Sequence, residues 1–472
     1  MKTIEGPYTD TGLVEDPYYA KALEQPFFAS RLQLFAVIVY VLSQGFTIPI
    51  LPIGPSWAVW PRLDDFATAF LVTVYLFTRA NIRPMNKLER TISALIIGGA
   101  VLSLPSTANG VIIHPETIKG TSYGIFQTYR TVEYFMVWYC IRGMTFSSRQ
   151  FDKISYAVFF VVVFVVIIAL GNATGAIPPA RLLTHLPYEG PWGELKRYAT
   201  RAGIPRGPYG WNPGDMVDQL VFLTMILLAS RRPLAVFRIP LMVVVAGVIF
   251  LTGSRAATLA WCLALIIWAH KSIKQLIIML IVVSLLFVFL YMFSSSFEYK
   301  VVERATYRVG TLIHREEDPT MSGRTVQWEA ALRYIASHPG ALVIGAGWGF
   351  SGHVLTPETG VVYAHSMYLD VLLEVGIFGA VMYYILLFNL YRLLQGKDRL
   401  LAALRAGFLA LLVAGITGSV FYPIAGGGSF LGFVGAVFGI GTATYRGRLL
   451  EEQLYSEYEP SEEGDFSYEY SV

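Results

Sequence analysis

Hydrophobic residues run along this chain in long continuous blocks, not at the spacing of an amphipathic soluble helix. The blocks fall at about 34–53, 64–79, 91–107, 123–143, 154–172, 215–230, 236–252, 256–270, 275–293, 364–391, 402–420 and 428–445. A bilayer core about 30 Å thick takes roughly 20 apolar residues as helix. Its interior offers no water to satisfy backbone groups, so an open chain must cross it as helix. The pattern predicts an all-α polytopic membrane protein of about twelve transmembrane helices. The shorter blocks are expected to be tilted or shielded by neighbours.

The positions of Lys and Arg orient these spans. One set of connections holds Arg79, Arg83, Lys87 and Arg90, then Arg142, Arg149 and Lys153. The set continues with Arg231, Arg232 and Arg238, Lys271 and Lys274, then Arg392, Lys397, Arg399 and Arg405, and ends with Arg446 and Arg448. The opposite short connections hold only Arg62 and Lys119. The basic set is therefore expected to be cytoplasmic, with both termini on that side. The expected organisation is a cytoplasmic segment 1–33, a membrane domain 34–445 and a cytoplasmic tail 446–472. Two long loops, 173–214 and 294–363, fall on the outer face. No apolar run stands near Met1, so no cleavable signal peptide is expected.

Composition agrees with a membrane setting. Of 472 residues, 54% are hydrophobic and 15% charged, and mean hydropathy is +0.52. A soluble domain carries about 25% charged residues. A disordered chain, a disulfide scaffold and a typical cytosolic enzyme are excluded. The net charge of +3 gives no reason to expect a nucleic-acid partner. Cys140 and Cys262 both lie in apolar blocks, and no metal-ligand spacing, P-loop or dinucleotide fingerprint is present. No cofactor and no metal are expected. From Glu451 onward the tail has eight acids, no Lys or Arg, and Tyr455, Tyr458, Tyr468 and Tyr470. Such a segment reads as solvated and disordered.

Chemistry-bearing residues gather at the outer boundary. Arg255 opens an inward-running helix in Ser254-Arg255-Ala256-Ala257. Helix amides, the dipole and a planar guanidinium there would suit a phosphate, although an arginine at this depth can also snorkel to headgroups. His365 opens the tenth span. It reads as a structural interfacial histidine or as a general base kept neutral by the helix dipole. Glu374 lies nine residues deeper, where an acid needs a partner, and is expected to fix packing. In loop 294–363, Arg324 opens a helix carrying Trp328, Leu332 and Ile335 on one face, and His338-Pro339 ends it. Trp328, and Trp348 in the glycine-rich run 345–349, either stack on sugars or pack. Arg206, in the basic and aromatic loop 173–214, belongs to a charged lid or to a loop stiffened by prolines. Arg130 and Glu133 are expected to form an intramembrane pair.

Three motifs in order carry a resemblance. Ser254-Arg255-Ala256, then Ser322-Gly323-Arg324 with Trp328, then His365-Ser366-Met367-Tyr368-Leu369 followed by Leu373-Glu374-Val375-Gly376, together resemble the bacterial O-antigen ligase and polymerase superfamily. A segment from Arg206 to Pro213 matches a fourth motif loosely. The likeness covers about 200–390 and the layout of spans. It implies a metal-independent, inverting glycosyltransferase of the GT-C-like membrane class, at the outer face of the bacterial plasma membrane. The donor would be a glycan on undecaprenyl diphosphate and the acceptor a lipid, glycan or protein hydroxyl. His365 would be the catalytic base. Arg255, Arg324 and Arg206 would hold the diphosphate. Trp328, His338 and Tyr368 would shape the glycan or acceptor groove, beneath a cap formed by loop 294–363. Two rival classes remain at this point. One is a flippase or other transporter, which calls for midplane polar residues and often for repeated halves; no repeat is evident. The other is a non-catalytic subunit of an export assembly.

Overall fold

The computed structural model describes residues 28–46, 61–78, 84–113, 118–177, 213–230, 236–270, 324–348, 350–352, 354–355, 364–396, 398–418, 420–421 and 429–458, with single residues at 205, 234, 277 and 281. Every regular element among them is a helix. They are α1 (Arg31–Ser43), α2 (Leu63–Phe77), α3 (Lys87–Ile113), α4 (Ile118–Arg142), α5 (Ser148–Thr174), α6 (Pro213–Ala229), α7 (Arg238–Leu251) and α8 (Arg255–Ala269), followed by α9 (Arg324–Ser337), α10 (Pro339–Ile344), α11 (Met367–Leu393), α12 (Arg399–Ala414) and α13 (Ser429–Tyr458). Helices occupy eleven of the twelve apolar blocks. The block 275–293 lies outside the described residues except Ile277 and Ile281. By length and composition, α3, α5 and α11 are each long and apolar enough to cross a membrane. The chain is an integral membrane protein.

Caps and ion pairs arrange the ends. Ser30 and Gln33 form a capping box on α1, and Ser147 and Gln150 form another on α5. Asp398 caps α12 through the amides of Leu400 (2.7 Å) and Leu401 (3.3 Å). These caps satisfy amides that a helix start leaves unpaired. Glu89 near the start of α3 holds Arg142 at the end of α4 and Arg446 of α13, each at 3.4 Å. Arg448 pairs with Asp398. Arg399 donates to the Leu228 carbonyl (2.9 Å) and lies over the Trp268 ring. Gln33 donates to Thr78 (3.0 Å). Starts of α1, α3, α5 and α12 thus meet ends of α2, α4, α6 and α8. This is the alternation the basic connections predict, and it creates one basic end. Helix α13 runs on to Tyr458, and Glu451 accepts from Ser148 N (2.9 Å) and Oγ (2.5 Å). The first residues of the acidic tail are therefore part of a packed helix, not a solvated strand of chain.

Helix α11 is broken. Gly376 has φ 66° and ψ −172° in the midst of helical neighbours. The chain from α10 fills the break. Ala346 N donates to the Leu373 carbonyl (2.7 Å) and Gly347 N to the Glu374 carbonyl (3.2 Å). Ser106 of α3 also donates to the Glu374 carbonyl, and Asn109 donates to the Gly345 carbonyl (2.6 Å). The Glu374 carboxylate, 1% exposed, accepts from Ser351 N (3.2 Å). Its expected packing role is what the geometry shows. Residues 339–348 and 350–352 accordingly pack between α3 and α11, whereas the sequence had placed all of 294–363 in a cap over the site. Non-helical backbone is tolerated at such a place because protein groups satisfy it.

A Cβ on Gly376 would stand 2.4 Å from the Val343 carbonyl oxygen, in a positive-φ conformation. Gly376→Ala is expected to destabilise the chain by about 2 kcal/mol or more, from backbone strain plus the clash. Gly99→Ala, whose added Cβ meets nothing within 4 Å, is the matched control. Thermal unfolding of both variants in detergent checks this; equal Tm values would refute the docking described.

Candidate functional site

The end of the bundle opposite the basic end carries the candidate chemistry. Met367 N, at the start of α11, donates to the carbonyls of Gly415 (2.8 Å) and Gly418 (3.0 Å), just past α12. Arg399 against Trp268 sets the start of α12 beside the end of α8. The other ends of these two helices, carrying Gly415 and Arg255, therefore also lie together. Arg255 follows Gly253, which has φ 63°, and Ser254 as N-cap, so it occupies the first helical position as expected.

His365 precedes α11 in a tight turn. The sequence had put the start of this span at 364; the helix begins at Met367, leaving His365 outside it. His365 has φ 51°, the left-handed region, which a non-glycine residue adopts only when its surroundings over-determine it. The Ala364 N–H donates to Asp370 Oδ1 (2.8 Å), and the Ala364 carbonyl accepts from Trp328 Nε1 (3.0 Å). Met367 N is fixed on Gly415 and Gly418. Both flanks of His365 are thus held. No described residue hydrogen-bonds its ring. Burial, together with the positive charge of Arg324, pulls the imidazole down from its ordinary value to about 4. It is neutral at neutral pH, and Arg324 is near enough to act on it.

Helix α9 supplies that arginine. Its buried face is Gln327, Ala330, Ala331 and Ile335, while Leu332 is half exposed. The face expected from Trp328, Leu332 and Ile335 is rotated, because α9 packs on Ala364, Leu373 and the α10 segment. Trp328 sits half-buried with its N–H engaged. Trp348 is buried in the main core, which is the packing alternative.

The remaining candidates are placed less centrally. The Tyr368 hydroxyl donates to the Leu412 carbonyl of α12 (2.9 Å), which binds it to the scaffold. His338 is exposed, stacks on Tyr334 at 4.2 Å between centroids, and lies 14 positions beyond Arg324. That is about 20 Å along the helix, so the structure does not bring it to the His365 group. Arg206 lies outside the described residues. Arg130 and Glu133 do pair, at 2.7 Å, and α2 adds Asp65, whose Oδ2 accepts from Arg130 (3.1 Å) and from Arg62 N (2.7 Å).

Asp370 is the residue sequence reasoning passed over. It is fully buried, and its carboxylate holds the His365 turn. The available signal was an acid in the first turn of an apolar helix, the place where helix amides and dipole favour negative charge.

The fold and this site define an all-helical integral membrane protein with a histidine and an arginine at one end of its bundle. Residues 240–384 match the family model described as O-antigen ligase, and this segment belongs to the O-antigen ligase and polymerase superfamily. The match contains Arg255, Arg324, Trp328, His338, His365 and Tyr368; Arg206 precedes it. No curated protein matches the chain.

Trp328→Phe keeps a ring but leaves the Ala364 carbonyl without its donor. The expected cost is about 1 kcal/mol of stability. The check is a small drop in Tm in detergent and faster amide exchange in 364–367; unchanged exchange there would sink the clamp.

Proposed function

We propose that this protein transfers a glycan from a polyprenyl diphosphate, of the undecaprenyl type, to an acceptor hydroxyl at the outer face of the bacterial plasma membrane. The observation that carries the reading is the placement of His365 in a strained, doubly held turn beside Arg324, inside the segment matched to the O-antigen ligase family. His365 takes the proton of the acceptor hydroxyl. The acceptor oxygen attacks the anomeric carbon, the bond from that carbon to the diphosphate breaks, and configuration inverts. Arg324 and Arg255, with Arg206 in the outer loop, stabilise the charge that grows on the leaving diphosphate. A guanidinium suits this work because its planar fork matches phosphate oxygens and stays charged. Protein groups supply both the base and the countercharge, so the scheme needs no metal. Trp328 holds the base turn and borders the acceptor groove with Tyr368.

In proteoliposomes given a synthetic undecaprenyl-diphosphate oligosaccharide and an acceptor, wild-type protein is expected to release lipid diphosphate. His365→Ala is expected to lower kcat about a hundredfold or more, the usual worth of a general base. Retention of wild-type turnover by a folded His365→Ala protein would rule out the base assignment. Product length separates the two forms of the reaction. A ladder without added acceptor marks a polymerase, and a single transfer that requires the acceptor marks a ligase.

The acidic limb of kcat/KM reports the free base. Because only neutral His365 accepts a proton, activity is expected to hold through neutral pH and fall only as pH approaches the lowered value of about 4. Arg324→Gln removes one of the two causes of lowering. It is expected to move the limb upward, part of the way to the ordinary histidine value. A limb that stays in place in this variant argues against the proximity of the two groups.

A further inference from the structure

Helix α2 begins halfway along α4. Arg130 of α4 bonds Asp65 in the first turn of α2, and the Tyr139 ring of α4 packs on Tyr75 of α2 at 5.4 Å between centroids. Arg130 lies twelve residues from either end of α4, or about 18 Å. That is near the middle of a hydrocarbon core about 30 Å thick. The start of α2 therefore sets Arg62, Asp64 and Asp65 against Arg130 and Glu133 at mid-membrane depth. Arg62, Asp64 and Arg130 are each 2% exposed and Glu133 8%. Asp64 stands in the field of Arg62, Asp65 and Arg130, and Glu133 in that of Arg130, Asp65 and Asp64.

The charges in this cluster do not balance, because two arginines face three carboxyl groups. Asp65 and Glu133 share the Arg130 guanidinium, and Asp65 Oδ2 also accepts from Arg62 N (2.7 Å). Asp64 differs. Its Oδ1 is buried and has no hydrogen-bond partner among the described residues. Tyr40 of α1 and Tyr134 of α4 stand in the same field, and the Tyr134 hydroxyl is likewise buried without a partner. The neighbouring helices supply no further charge at this level. Residues 32–61, which include α1 and its connection to α2, contain no Lys, Arg, His, Asp or Glu. Nor do 91–113 of α3, 154–174 of α5 or 429–445 of α13. A net charge at this depth is costly, and so is a carboxylate oxygen that nothing donates to.

We propose that this cluster is a proton-binding site, which holds one proton at neutral pH with Asp64 as its seat. A proton on Asp64 Oδ1 leaves two carboxylates against two guanidiniums, and the cluster is then neutral. Asp65 and Glu133 are less suited as the seat, because each already accepts a charge-assisted hydrogen bond from Arg130. A sodium ion would balance the same charge. Among the described residues, however, no group of three or more His, Cys, Asp or Glu side chains is placed to hold a metal ion. The arrangement is sensitive to pH. Once the proton leaves, the start of α2 carries an unbalanced charge against α4, and the seat of α2 on α4 is weakened. None of this depends on the transfer reaction.

Infrared difference spectroscopy on the full-length chain in detergent tests this at neutral pH. Wild type is expected to show the C=O stretch of a protonated carboxyl group, shifted in D2O, that Asp64→Asn lacks. Glu133→Gln brings the carboxyl groups down to two, matching the two arginines, and is expected to lose the band as well. The pH dependence of Tm gives a second reading. At neutral pH the folded chain holds a proton that an unfolded aspartate has released. Stability therefore falls as pH rises, until the folded chain has lost the proton too. From neutral to mildly alkaline pH, wild-type Tm is expected to drop about 2–4 °C more than that of Asp64→Asn. A wild-type band unchanged in either folded variant would overturn the proposal, and so would an equal alkaline drop in wild type and Asp64→Asn. A Tm that sodium raises over potassium in wild type, but not in Asp64→Asn, would assign the site to a cation instead.

Discussion

A backbone amide or carbonyl removed from water and left unpaired costs several kcal/mol in an apolar surround. The break in α11 meets this constraint directly. At Gly376 the helix cannot supply its own partners, and the α10 segment and Ser106 supply them instead, while Asn109 satisfies the Gly345 carbonyl of that segment. That requirement decides where residues 339–348 go. It places α10, and with it α9, against the first turns of α11. Arg324 stands near His365 because α9 is pinned there. The site is thus a consequence of how a broken helix is repaired, and glycines at 345, 347 and 376 make the close approach sterically possible.

The two ends of the bundle use charge differently. At the basic end, Glu89, Asp398 and Glu451 join α3, α4, α5, α12 and α13 through ion pairs and charge-assisted hydrogen bonds. Glu89 and Asp398 are at least as buried as the arginines they pair with, and removing one partner would strand the other at high cost. At the other end, Asp370 is spent on a backbone amide, which steadies the histidine without pairing with it. With no described carboxylate on the ring to favour the charged imidazolium, burial and Arg324 keep His365 neutral at neutral pH.

Helix positions were legible in the sequence because the apolar blocks are continuous, and the alternation of ends was legible in Lys and Arg. The Arg130–Glu133 pair was legible from helical spacing. What was not legible depended on contacts between distant segments. Asp65 reaches Arg130 across 65 residues, and nothing local to either announces it. Gly376 reads as an ordinary glycine of a span until Gly345 and Gly347 are seen against it. The face of α9 was misjudged because Leu332 is apolar, whereas the partner surface of Ala364 and Leu373 selects Ala331 and Gln327. Local pattern specifies the helix; the neighbour chooses the face.

On the proposed reading, Arg324 has opposing effects on the base. Its charge depresses His365, which keeps the ring neutral but makes it a weak proton acceptor. A diphosphate seated on Arg324 would offset that charge and restore basicity, while the desolvation of the ring would persist. The histidine would then be strongest as a base only when the leaving group is in place. Such an order would couple donor binding to activation of the acceptor hydroxyl. The left-handed turn serves the same end. Held by Trp328 and Asp370, it fixes the imidazole before the donor arrives, so donor binding has only to change its electrostatics.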